Sequence, residues 1–302
     1  MNLLPVRAPA GLKYDEDQEG YVMDGQPVMR VSDMLEHYPK QWMGWWVAGE
    51  TAKALGVFKA LDGDAKTAWK RATYTKEGAG WEEGVAYTAK GIIQKVTEAR
   101  KAFNRKSKEA LVTGDLAHKW IAEHLKGNDL PLPADEGAKY AIAGFMLWVK
   151  EWDVHFLASE MRLYHSQYKY AGTADCVVSL RAQRDSEGTD APGLPASRLT
   201  GARQGDGMVL GIGDYKTSAE LRDTNVLQLD AYLAALCDMY ITHQEPIPEM
   251  GRFLVRLPKK KDDSYEMKWI TSDHEVGFGT VLALLGVKKW MEYIEAHNKE
   301  SK

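Results

Sequence analysis

Residues 160–180 read EMRLYHSQYKYAGTADCVVSL, and residues 209–232 read VLGIGDYKTSAELRDTNVLQLDAY. Each stretch holds a short apolar run carrying one aspartate, Asp175 in GTAD and Asp214 in GDYKT. Runs of this length and composition predict strands. Side chains at i and i+2 of a strand share a face. Asp214 and Lys216 therefore point one way, and Tyr215 points the other. The second stretch continues into a helical pattern in which Gln228 and Tyr232, four residues apart, lie on one face. The pattern is that of a metal site at strand ends, with a lysine beside it and a helix face beyond.

The residue types suit that chemistry. Hard divalent cations such as Mg²⁺ take oxygen ligands, usually a few carboxylates completed by water and substrate phosphate. Two carboxylates about 4 Å apart repel by roughly 4 kcal/mol at an effective dielectric of about 20. A cation between them reverses the sign. It also lowers the pKa of bound water and neutralises charge on a phosphoryl oxygen. A neighbouring lysine can orient the attacking water or stabilise developing charge as a point cation.

The ordered set Glu160, Gly172-Thr173-Ala174-Asp175, Asp214-Tyr215-Lys216 and Gln228-x3-Tyr232 resembles the PD-(D/E)XK nuclease superfamily. The likeness is to its RecB-like branch, which includes phage exonucleases. In that resemblance Asp175 and Asp214 are catalytic, metal-ligating carboxylates, and the Tyr215 backbone carbonyl is a further ligand. Lys216 is the catalytic lysine, and Glu160 matches the acidic residue placed before GTxD. Gln228 and Tyr232 orient the lysine or contact DNA phosphate. Residues 113–118, TGDLAH, resemble the G-x-x-x-H element that precedes the core in this branch, where the histidine adds a nitrogen ligand. This makes His118 a metal ligand by resemblance.

Bulk properties agree with a soluble globular protein. The 302 residues suffice for a large core and a second domain. A formal net charge of −4 means that any DNA surface is a local patch rather than a basic molecule as a whole. Two cysteines, Cys176 and Cys237, suit a reducing cytosol and exclude a disulfide framework. Two are also too few for the four-cysteine iron–sulfur cluster of some RecB-like relatives. There is no apolar run of membrane-spanning length and no signal peptide, so the expected location is cytoplasmic. The absence of a G-x-x-x-x-G-K-[ST] loop excludes an ATP-driven motor.

Outward from the centre, YVMDGQPVMRVS (residues 21–32) predicts a hairpin across Asp24-Gly25. Ser32 is placed to cap a helix beginning DMLEHY. Trp42, Trp45, Trp46 and Gly49 at near-helical spacing form a core face or an aromatic surface that stacks on unpaired bases. Residues 61–110 read as helical, and Lys90, Lys95, Arg100, Lys101, Arg105, Lys106 and Lys108 make the most basic segment. That segment is a solvated face or a phosphate-contacting one. Leu116, Trp120, Ile121 and Leu125 suit a helix ending at Gly127, and another helix is predicted from about 136 to 154. Residues 181–207, RAQRDSEGTDAPGLPASRLTGARQGDG, have the composition of a mobile loop. GRFLVRLP and SYEMKWI predict a second hairpin, and a final helix runs from about 273 to 297.

The expected architecture is α/β: a mixed central sheet of four or five strands flanked by helices, a restriction-endonuclease-like core over 110–302. An N-terminal hairpin and helical region occupies 1–109. The expected function is a Mg²⁺- or Mn²⁺-dependent deoxyribonuclease. The resemblance favours an exonuclease acting on DNA ends in recombination or repair, with a single-strand annealing protein as a partner and with homo-oligomers open. The alternatives are an endonuclease of the same superfamily and a non-catalytic DNA-binding module.

Overall fold

The computed structural model describes residues 3–39, 111–181 and 208–300, residues 299 and 300 by backbone alone. The chain divides into two compact units, Met1–Tyr38 with Thr113–Lys302, and Pro39–Val112. The second unit lies almost wholly outside the described residues. The tryptophans at 42, 45 and 46, the basic helical stretch over 61–110, the boundary at 109/110 and the insertion from 182 to 207 lie outside them too.

The fold is α/β, with a mixed eight-stranded sheet flanked by helices. The strands are β1 (Leu12–Asp15), β2 (Gly20–Met23), β3 (Gln26–Arg30), β4 (His155–His165), β5 (Tyr170–Arg181), β6 (Met208–Lys216), β7 (Gly251–Arg256) and β8 (Glu266–Trp269). Among the described residues the helices are α1 (Val31–Leu35), α2 (residues 111–125), α3 (Glu136–Glu151), α4 (Asp223–Thr242) and α5 (His274–Glu300). The sheet runs β1-β2-β3-β5-β6-β7-β8, with β4 on the other edge of β5.

Local chemistry explains the connections. Asp24 (φ 51°) and Gly25 (φ 80°) both take left-handed backbone, the turn geometry that matches the twist of a two-residue hairpin between β2 and β3. β6 and β7 are parallel, so a crossover must join them, and α4 is that crossover. Gly127 (φ 86°) follows α2 in the left-handed conformation that ends helices. Asp135 caps α3, its side chain accepting the Ala138 N–H.

Apolar side chains alternate between the two faces of the sheet. One face carries Met161, Leu163, Val177, Ile212 and Leu254, which pack on α1, α4 and the first half of α5. The other carries Cys176, Val178, Val209, Tyr215 and Val255, which pack on α2 and α3. The strands buried on both faces read as nearly continuous apolar runs for this reason.

Two expectations are corrected. The sheet has eight strands, not four or five, because the N-terminal hairpin joins it through two parallel pairs, Met29↔Tyr170 and Arg30↔Ala171. Ser32 is not the cap of the first helix. Arg30 holds that position without a side-chain cap, and its guanidinium forks onto Asp33 instead. β3 pairs through Arg30 and turns directly into α1, which draws Ser32 into the helix.

Candidate metal centre

β5 has one edge covered by β4 along its length, from Tyr170 to Ser179. Its other edge is shared. β3 covers Tyr170 and Ala171, and β6 covers Cys176–Arg181. Gly172-Thr173-Ala174-Asp175 fall in the gap between them. The last ladder pair there is Cys176↔Gly213. Beyond it the Asp175 carboxylate takes over, and its Oδ2 accepts the Tyr215 backbone N–H at 2.7 Å. This bond ties the GTAD and DYK segments together and fixes one oxygen of Asp175.

The same Oδ2 lies 3.5 Å from Nδ1 of His118, on α2. α2 approaches β6 closely at Gly114, one turn earlier, where an added Cβ would stand 3.1 Å from Oγ1 of Thr217. A small residue at 114 therefore allows the helix to seat its histidine against the sheet. Glu160 enters from β4. Its neighbours pair Ser159↔Cys176 and Met161↔Ala174, so Glu160 stands across from Asp175. Its φ of 48° is left-handed, a conformation that costs a non-glycine residue about 1–2 kcal/mol. Ligand atoms of His118, Glu160 and Asp175 all lie within 4.8 Å of one another.

Asp214 stands outside this triad and is held otherwise. Its buried carboxylate contacts the Lys216 ammonium, and Lys216 keeps a limited exposure. The i+2 relation places both on one face, as period two requires. Tyr215 points away into the aromatic layer of α3, edge-on to Phe145 at 5.3 Å and Trp148 at 5.8 Å.

Titration behaviour follows from burial and from the charges packed together with it. Burial, and then Asp175, push the Glu160 carboxyl up to about 7 although the residue keeps exposed surface. Burial and Asp175 also raise Asp214, to about 6, against the pull of Lys216. Asp175 moves the other way: burial opposes its charge, but His118, Lys216 and the Tyr215 amide outweigh it and lower its pKa. For His118, burial opposes the imidazolium, and the Asp175 and Asp214 charges overcome it, to about 9. Lys216 is likewise held above its ordinary value by Asp214 and Asp175 despite burial. The carboxylates thus favour the cationic forms of both His118 and Lys216.

The helix face beyond the site is also built. Gln228 Nε2 donates to the Tyr232 hydroxyl at 2.7 Å. The Tyr232 ring is buried against Gly172, where a Cβ would meet its Cε1 at 2.5 Å. The glycine of GTAD is therefore the seat of the tyrosine of QxxxY. Burial first, and then the charges of Asp214 and Asp175, raise the pKa of Tyr232.

One neighbour was missed from sequence. The Tyr21 hydroxyl on β2 hydrogen-bonds Oγ1 of Thr173 at 2.5 Å, across 152 positions of chain. Tyr21 feels the charges of Arg162 and Glu160. Nothing local to residues 12–30 signals this, because it follows from the short β3–β5 pairing.

Compared with known proteins, the chain matches no family model, and no curated protein matches it. Among the described residues no helix is long and apolar enough to cross a membrane.

Proposed function

We propose that the protein is a divalent-cation-dependent deoxyribonuclease with a restriction-endonuclease-like core of the RecB-like PD-(D/E)XK kind, acting as an exonuclease on DNA ends. The observation that carries this reading is the convergence of His118, Glu160 and Asp175 within 4.8 Å, beside a Lys216–Asp214 pair. Three distant chain segments and one strained backbone position are committed to that point.

Two carboxylates and one imidazole fit Mg²⁺ or Mn²⁺, the imidazole favouring Mn²⁺. The Glu160 and Asp214 carboxyls are raised by burial first and by the Asp175 charge second, and a cation would offset both. Asp175, Glu160 and His118 would hold the ion, with Asp214 and the Tyr215 carbonyl as further donors. When bound, it supplies charge neutralisation at a phosphoryl oxygen and a lower pKa for water.

The chain's own groups have separate tasks. The Tyr215 amide pins Asp175, leaving its second oxygen for a ligand. Lys216, cationic through the neutral range, places a positive charge where the phosphorane-like oxygens gain negative charge. Asp214 positions that ammonium. Gln228, half-buried and braced by Tyr232, is the side chain of α4 available to a DNA phosphate.

The test is time-resolved digestion of end-labelled linear duplex, single strands and covalently closed circles with Mg²⁺, Mn²⁺ or EDTA. An exonuclease shortens linear DNA from its ends, spares the circle and stops in EDTA. Cleavage of the circle would make it an endonuclease, and binding without cleavage under all metal conditions would make it a DNA-binding module.

A further inference from the structure

α5 is two different helices in one. Its first half is anchored, with Val281, Leu284 and Leu285 buried against α4 and the sheet. From Gly286 through Ala296 every residue except half-buried Lys288 is exposed. That segment extends the helix by about 16 Å at 1.5 Å per residue. It is not polar. Val287, Trp290, Met291 and Ile294 are 47%, 62%, 42% and 37% exposed. Their spacing of i, i+3, i+4 and i+7 makes one apolar stripe.

We propose that this stripe pairs antiparallel with the same stripe of a second copy, making a two-fold dimer. The pattern reads the same from both ends. With the two-fold between residues 290 and 291, Val287 faces Ile294 of the other copy, and Trp290 faces Met291. Self-complementarity of this kind is what an isologous interface requires. The flanks agree with it. Lys288 and Glu295 lie on the same flank, and the two-fold brings that flank of one copy against the same flank of the other. Lys288 then lies about 3 Å along the axis from Glu295 of the second copy, twice over. A parallel pair would set this flank against Tyr293, bringing neither charge to an opposite one of the second copy and leaving Lys288 only its own-helix neighbour Glu292, 3.6 Å away.

On the other flank Gly286 has open space around its Cβ position. The antiparallel register sets the half-exposed Tyr293 ring of the second copy over it. The stripe also continues unobstructed toward the anchored half through exposed Gly279 and Ala283. The exposed apolar surface amounts to roughly 500 Å² per copy, or about 1,000 Å² for the pair, the lower limit for a specific interface. An interface at that limit is a weak or transient one.

The inference is independent of the reading of the metal centre, and its test needs neither DNA nor metal. Sedimentation equilibrium of the full chain up to about 100 µM should show a monomer–dimer equilibrium. Trp290→Glu should leave a monomer with an unchanged melting curve. Lys288→Glu and Glu295→Lys should each weaken association by about tenfold, since each puts like charges face to face. An equimolar mixture of those two variants should recover the dimer. A monomer at the highest concentration, an assembly indifferent to Trp290→Glu, or failure of the mixture to recover would each overturn the proposal. Shielding of Trp290 from a fluorescence quencher in a monomer would overturn it as well, by assigning the stripe to residues 40–110 of the same chain.

Discussion

The Asp175 carboxylate accepts the backbone N–H of Tyr215 at 2.7 Å, one residue past Asp214 on the neighbouring strand. One oxygen thus closes the sheet while the group as a whole faces His118 and Glu160. Structural and chemical roles of this side chain can be separated. Asp175→Asn retains a carbonyl for the Tyr215 amide and loses the charge, so it should fold normally and lose metal binding. Asp175→Ala orphans a buried amide and should cost about 1–3 kcal/mol of stability as well. Thermal melts and calorimetric Mn²⁺ titrations distinguish the two. Equal melting of both variants would remove the structural role.

Metal-free protein should lose stability as pH rises. Glu160 has a folded pKa of about 7 against 4.5, Asp214 about 6 against 3.8, and His118 about 9 against 6.5. In each case the native state binds the proton more tightly than the unfolded chain. The contribution is complete below the unfolded value and disappears as pH passes the folded one. Asp175 has the opposite sign, and its contribution is lost only as pH falls through the acid range. The melting temperature in EDTA should therefore decline between about pH 5 and 9, and saturating Mn²⁺ should flatten the decline. A rising profile in EDTA would contradict the arrangement of charges.

Lys216→Ala should lower the hydrolysis rate by at least about 10²-fold, the scale of losing one electrostatic stabiliser. DNA affinity should change little, since one phosphate contact among several is removed. Single-turnover rates and filter binding on the same preparation separate the two effects. Near-normal turnover would show that the lysine of DYK is a salt-bridge partner of Asp214 and no more.

Gly172→Ala tests the seat of Tyr232. Its Cβ would lie 2.5 Å from the ring, against a buried side chain that cannot swing to solvent. Overpacking of this kind costs about 1–3 kcal/mol. The melting temperature should fall, and in a Tyr232→Ala background, where the ring is gone, the same substitution should cost little further. A Gly172→Ala protein as stable as the wild type would displace the tyrosine from this position.

The Asp214–Lys216 contact was legible in sequence because a strand alternates faces with period two, so an i+2 pair shares a face. The Asp24-Gly25 turn, the strands β4 to β8 and the helices α2 to α5 were legible from periodicity and from capping residues. His118 was visible only through a resemblance, because the approach of α2 at Gly114 depends on packing against Thr217. The left-handed backbone at Glu160 had no signal, since strain at one residue is imposed by the strands around it. The Tyr21–Thr173 bond, the first strand and the joining of the N-terminal hairpin to the central sheet were missed for a related reason. They depend on two ladder pairs between segments far apart in the chain, and short non-local pairings leave no periodic trace.

The central claim is that His118, Glu160 and Asp175 hold a cation on which hydrolysis depends. The most direct measurement counts Mn²⁺ bound per chain by electron paramagnetic resonance, beside the rate of DNA hydrolysis, for wild type, Asp175→Asn and His118→Ala. Wild type should bind Mn²⁺ and cut in proportion to occupancy. Asp175→Asn should do neither. His118→Ala should bind more weakly, with activity partly recovered at high Mn²⁺ and with less loss of affinity on acidification than the wild type. Unchanged Mn²⁺ binding in Asp175→Asn, or full wild-type hydrolysis in excess EDTA, would contradict the account.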